Sequence, residues 1–197
     1  MLVACIKVGT LYGPEYVNRL ASMLARHTTR PYYFACLTDD PSGVLCPSWP
    51  IETDLPGWWA KLRLFKDFDE RIIYLDLDTV IAGNVDFLFE YAGQFAILRD
   101  FHHWWEYGSA VMSIAPGFGR HIWENFTPDV MARLHGDQNW IKEQVKDADR
   151  WQDVAPGKIG SYKVDGLQDG PKGFSVCCFH GRPKPHEVDG WVTDAWR

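Results

Sequence analysis

The segment from Leu2 to Leu37 restricts the fold more than any other part of the chain. Residues 2–8 read as an apolar strand, followed by the loop Gly9-Thr10-Leu11-Tyr12-Gly13. A helix starts at Pro14, where a missing N–H costs nothing. Val17, Leu20, Met23 and Leu24 then line one face as far as residue 27. Pro31 ends the connection, residues 32–37 form a second strand, and Thr38-Asp39-Asp40 lies just past its carboxyl end. Two apolar strands joined by an amphipathic helix make a parallel pair with helical cover. The fold class is therefore α/β, Rossmann-like, with a mostly parallel central sheet flanked by helices.

Further along, residues 41–57 hold four prolines and two glycines and read as a long surface loop. Residues 58–68 look helical, with Trp58, Leu62 and Phe65 on the apolar face. Residues 71–75 are the clearest strand, and Asp76-Leu77-Asp78 follows directly. Strands are expected at 95–98 and 110–114, and short helices at 85–91, 122–126, 130–134 and 139–145. From residue 151 the chain is rich in Gly and Pro and reads as irregular, apart from a strand at 175–179. No repeat or linker divides residues 1–197, so one domain is expected.

Composition closes off several classes. Of the 197 residues, 46% are hydrophobic, enough to bury a core and exclude disorder as the main state. A formal charge of -6 argues against a nucleic-acid grip. No apolar run reaches the roughly 20 residues of a membrane span, and MLVACIKVG is too short for a signal peptide. The five cysteines show no CxxC pair, which fits a reducing cytoplasm. Ten tryptophans are more than the core easily takes, and the pairs Trp58-Trp59 and Trp104-Trp105 suit a cleft lining. His102-His103 ahead of Trp104-Trp105 fits an acceptor cleft or a docking loop equally well.

The chemistry concentrates in two places. Asp76 and Asp78 stand at the carboxyl end of an interior strand, the edge where open parallel sheets bind ligands. Residues i and i+2 of extended chain point the same way, so the two carboxylates converge. Like charges so close call for a cation, and Mg²⁺ or Mn²⁺ suits hard oxygen ligands. The alternative is that both merely cap the strand. Near the other end, Phe179-His180-Gly181-Arg182-Pro183-Lys184-Pro185-His186 supplies a nitrogen ligand in His180, close backbone approach at Gly181, and a diphosphate counter-charge in Lys184. The loop Gly9 to Gly13 lacks the glycine and lysine pattern of dinucleotide or ATP sites.

This ordered set resembles the metal-dependent, nucleotide-sugar-using glycosyltransferases of the glycogenin and lipopolysaccharide galactosyltransferase group (family 8, GT-A fold). The matching segments are Lys61-Leu62, Tyr74-Leu75-Asp76-Leu77-Asp78-Thr79, Asn84-Val85-Asp86-Phe87-Leu88-Phe89, Gly136-Asp137-Gln138-Asn139 and His180-Gly181-Arg182-Pro183-Lys184-Pro185. The resemblance implies transfer of a sugar from a UDP-sugar, with Mn²⁺ or Mg²⁺ and retention of anomeric configuration. It implies metal ligation by Asp76, Asp78 and His180, and donor contacts from Tyr12, Asp39, Lys61, Asp76, Gly181 and Lys184. Asp137 and Gln138 fall beside the transferred sugar, Asp137 as nucleophile or as orienting group, orientation being favoured. The acceptor is an unidentified glycan, lipid or protein. Relatives place histidine where this chain has Cys178, so the resemblance leaves three options: His180 completes the metal site, Cys178 does, or neither does. Relatives also carry Asn-Ser-Gly where this chain has Tyr107-Gly108-Ser109-Ala110.

Two other readings remain. Asp76-Leu77-Asp78-Thr79-Val80 is similar to the signature of haloacid-dehalogenase phosphatases, in which Asp76 would be the nucleophile. That family opens its fold with the motif, whereas here a complete strand-helix-strand unit precedes it. A nucleotide-sugar-binding protein without catalysis is the other.

Overall fold

Strand β1 (Leu2–Lys7) is buried at every position, and alternate residues serve different cores. Val3 and Cys5 face the layer containing helix α1 (Pro14–His27), while Leu2, Ala4 and Ile6 face the opposite layer. Burial on both faces is what makes the strand an unbroken apolar run. Helix α1 lays Tyr16, Val17, Leu20, Met23 and Leu24 against the sheet. Each such aliphatic side chain contributes about 1.5–3 kcal/mol on leaving water. Strand β2 (Tyr33–Thr38) pairs with β1 in parallel, Cys5 beside Cys36, which completes the expected strand-helix-strand unit.

The structure, a computed structural model, describes all residues except Glu52, Thr53, Asp54, Asp67 and Asp69. The expected loop at 41–57 and helix at 58–68 cross those positions, and that part of each reading lies outside the described residues. The later strands are β3 (Ser48–Pro50), β4 (Ile72–Leu75), β5 (Thr79–Ile81), β6 (Phe95–Arg99), β7 (Tyr107–Ile114), β8 (Asp149–Arg150), β9 (Ile159–Ser161) and β10 (Val176–Cys178). Seven strands form the main sheet in the order β3-β2-β1-β4-β7-β6-β8. Strand β7 runs antiparallel to both β4 and β6, and the other pairings in this sheet are parallel. The sheet is mixed, with parallel pairs in the majority.

Three expectations need correction. Residues 41–57 are not loop throughout, because β3 adds to the sheet through backbone bonds beside β2. The helix expected at 58–68 is a 3-10 helix, Gly57–Phe65. The region after residue 151 is more ordered than its Gly and Pro content implies: β9 and β10 join β5 in a second, three-stranded sheet. Strands of three residues show no hydrophobic period, so only their partners define them.

The small sheet packs in the same core as α1. It therefore brings the end of the chain to the carboxyl edge of the main sheet. Strands β2 and β4 flank β1 on opposite sides, so the strand order reverses there. The crevice outside the carboxyl ends of β1 and β4 is the expected place for a ligand.

Candidate functional site

The chain turns as soon as it leaves β4. The Thr79 N–H donates to the Asp76 carbonyl at 3.1 Å, closing a tight turn over Asp76-Leu77-Asp78. The carboxylates are thus not set by extended-strand alternation, contrary to expectation, and each faces its own lysine. Tyr74 Oη donates to Asp76 Oδ1 at 2.6 Å, and Lys61 Nζ lies 2.7 Å from Oδ1 and 3.0 Å from Oδ2. Lys61 also donates to Ser109 Oγ at 3.1 Å. Burial pulls the Lys61 pKa down, but Asp76 and Asp137 outweigh it, so the ammonium holds its proton more firmly than usual.

Asp78 is buried, and its Oδ2 accepts from Tyr12 Oη at 2.9 Å and from Lys184 Nζ at 2.5 Å. Lys184 Nζ donates to Tyr12 Oη as well, at 2.7 Å. Burial first, and the charge of Asp76 second, push the Asp78 carboxyl above the usual range, with Lys184 and Tyr12 opposing. Burial and then Asp78 push the Tyr12 hydroxyl up. The site is thus two neighbouring carboxylates, each clamped by a lysine and a tyrosine.

The small sheet explains how Lys184 arrives. Strand β10 runs antiparallel to β5 with Cys178 opposite Thr79, so the chain leaving β10 passes the carboxylate turn. Gly181, at φ +64°, turns the loop in a conformation that a side chain would strain. Glu187 then accepts the Lys184 N–H at 2.7 Å and pairs with Arg182. Lys184 is held from both sides.

His180 lies on this loop, but its Nε2 is 2.7 Å from Ser161 Oγ. Its ring stacks on Phe101 and meets His102 edge-on, with centroids 5.8 and 4.9 Å apart. Burial, then Lys163, lowers its pKa and keeps the imidazole neutral. The Cys178 thiol is fully buried and pushed well above its ordinary pKa by that burial. Two carboxylates suit a hard divalent cation. Among the described residues, however, no group of three or more His, Cys, Asp or Glu side chains is gathered for a metal ion.

Asp137 is the first residue of helix α5 (Asp137–Gln144; the intervening helices are α2, Asp86–Glu90, α3, Arg120–Glu124, and α4, Pro128–Arg133). Gly136 is the N-cap. The Asp137 carboxylate is buried, and its Oδ2 has no hydrogen-bond partner. Burial raises its pKa, opposed chiefly by Lys61 and then by a hydrogen bond with Ser109. Gln138 follows, half-buried on the same turn. Asp39 Oδ2 accepts the Gly9 N–H at 2.9 Å, bracing the loop that carries Tyr12. Sequence reading missed Tyr74 and Ser109 as parts of the site. Tyr74 sits in an apolar run and reads as core, and nothing marks Ser109 as a lysine partner.

Asp137→Asn should raise the melting temperature at about pH 8, with the gain shrinking toward about pH 4. The buried acid binds its proton more readily folded than unfolded. Wild-type stability from this group is therefore full below the ordinary carboxylate pKa and lost as pH rises through the folded one. Paired thermal melts over that range check it, and a gain independent of pH would contradict the raised carboxyl.

Against known proteins, no protein-family model and no curated sequence matches this chain. Solved structures do match in fold. The galactosyltransferase LgtC, in complex with donor and acceptor sugar analogues, aligns at a TM-score of 0.66 and 13% identity, over 100% of this chain and 92% of that one. The glycosyltransferase GlyE of Streptococcus pneumoniae TIGR4 aligns at 0.69 and 16%, over 99% of this chain and 58% of that one. The bifunctional glycosyltransferase WbbM aligns at 0.68 and 11%, over 98% of this chain and 48% of that one. This chain thus spans about half the length of the last two. The α/β core with its mixed sheet has the GT-A-like architecture of these glycosyltransferases.

Proposed function

We propose that the protein is a metal-dependent glycosyltransferase that moves a sugar from a UDP-sugar to an acceptor glycan, lipid or protein, with retention. One observation carries the reading: Asp76 and Asp78, at the strand-order reversal, are each held by a lysine that a phosphorylated ligand would attract. Breaking the bond between the anomeric carbon and the diphosphate leaves negative charge on the diphosphate. Lys184 moves from Asp78 onto that charge, and preorganised cations of this kind lower the barrier. Asp76 and Asp78 would hold a divalent cation, which would supply further positive charge there. His180 would serve as a third ligand only if it left the Ser161 hydroxyl, 2.7 Å from its Nε2. Tyr12 and Asp39 flank the nucleoside, and Gly181 lets the backbone approach the phosphates. Lys61 pairs with Asp76 and faces Asp137, which with Gln138 orients the sugar hydroxyls.

Calorimetric titration of UDP with and without Mn²⁺, on wild type and Asp78→Asn, tests this. Binding that needs the metal and is lost in the variant is the expected result. Failure of UDP, GDP, CDP and TDP alike to bind would overturn the donor site. Phosphate release from simple phosphomonoesters with Mg²⁺ would put a phosphatase in its place.

A further inference from the structure

The loop between β6 and β7 carries none of the residues assigned to the donor, and hydrogen bonds hold its shape. Asp100 Oδ1 accepts the N–H groups of both His102 and His103, at 2.9 and 2.7 Å. The Glu106 N–H donates to the His103 carbonyl at 2.7 Å, and Glu106 pairs with Lys142 of α5 at 2.8 Å. The tip is thereby fixed in one shape. On it stand Trp104 and Trp105, 72% and 53% exposed, in an edge-to-face pair with centroids 5.8 Å apart. An indole left in water on this turn contributes nothing to the core.

The loop's position gives the tryptophans a use. Strand β7 starts at its foot and carries Ser109, the partner of Lys61. On its other flank, ring contacts run from His180 to His102, then to His103, Trp105 and Trp104. A continuous aromatic strip therefore leads outward from the loop that carries Lys184. Indole faces attract the polarised C–H groups on one face of a pyranose ring, and the imidazoles beside them offer hydrogen bonds to its hydroxyls. The charges disfavour a lipid surface: Asp100 and Glu106 bracket the tip, and no lysine or arginine occurs between Arg99 and Arg120.

We propose that Trp104 and Trp105, with His102 and His103, form a carbohydrate-binding platform that seats an acceptor of at least two sugar units, its reacting end toward His180. The word acceptor rests on the glycosyltransferase reading; the sugar platform does not.

Saturation-transfer NMR with lactose, maltose, cellobiose and chitobiose tests the platform, alongside UDP calorimetry on the same samples. At least one disaccharide should show saturation concentrated on the ring C–H protons of one face. Trp104→Ala with Trp105→Ala should weaken that binding at least about tenfold. Trp104→Phe with Trp105→Phe should retain most of it, and UDP affinity should stay unchanged in both. Equal signals in the alanine variant, or no signal from any of the four sugars, would overturn the platform. So would sedimentation with phosphatidylglycerol vesicles in place of sugar binding, which would make the loop a lipid contact. Sugar binding without nucleotide binding would leave the platform standing and remove the transferase reading.

Discussion

Lys184→Ala should cut the rate of transfer, or of slow UDP-sugar hydrolysis, by about 100- to 1000-fold, the range for deleting one preorganised charge partner. The fold should survive, since Lys184 sits on a loop whose anchors, Arg182 and Glu187, remain. The loss has two parts. The diphosphate loses a cation, and Asp78 loses the ammonium that offsets its burial, so its pKa rises further. A group whose folded pKa rises is ionised only at higher pH, so the variant's residual activity should also shift toward alkaline pH. Rate against pH, with circular dichroism to verify folding, checks both. A variant with unchanged rate and unchanged profile would remove Lys184 from the donor site.

Trp151→Ala should destabilise the protein by about 3–5 kcal/mol, the usual cost of emptying a fully buried aromatic site. For a chain of this size that lowers the melting temperature on the order of 10 °C. Trp151 begins the short helix α6 (Trp151–Val154), is 0% exposed, and packs against Phe87 and Tyr91 with centroids 5.9 and 5.3 Å away. Its Nε1 is buried without an acceptor. Trp151→Phe keeps most of the ring contact and removes that unsatisfied donor, so it should cost far less than alanine. Thermal melts of the two variants make the comparison, and equal losses would mean that ring packing is not the source.

What could be read from the sequence follows from length and burial. Strands β1, β2 and β4 are apolar on both faces, and α1 repeats its apolar residues at helical spacing, so each shows in the sequence. Thr79–Ile81 and Ile159–Ser161 do not, because three residues carry no period and their order comes from bonds to β10. The same limit hid the setting of Trp151, whose neighbours Phe87 and Tyr91 lie in a different stretch of chain. At the site, Asp76 and Asp78 stood out as a carboxylate pair at a strand end and Lys184 as a counter-charge for a diphosphate, but the pairing of Lys184 with Asp78 was not legible. Nor was the shape of the pair, since Leu77 sits in a turn closed by the Thr79 N–H. Tyr74 escaped for a simpler reason: its ring is core, and only its hydroxyl touches Asp76.

The bond between Lys184 and Asp78 spans 106 residues of chain. At synthesis rates of about 5–20 residues per second, the aspartate leaves the ribosome roughly 5–20 s before its lysine. Until then β5 lacks β10, and Asp78 has no ammonium to offset its burial. A nascent chain can therefore form the β1-α1-β2 unit early, while the carboxylate edge waits for residues 176–187 to emerge. The edge that carries Asp76 and Asp78 would therefore be completed well after the strand-helix-strand unit on which it stands.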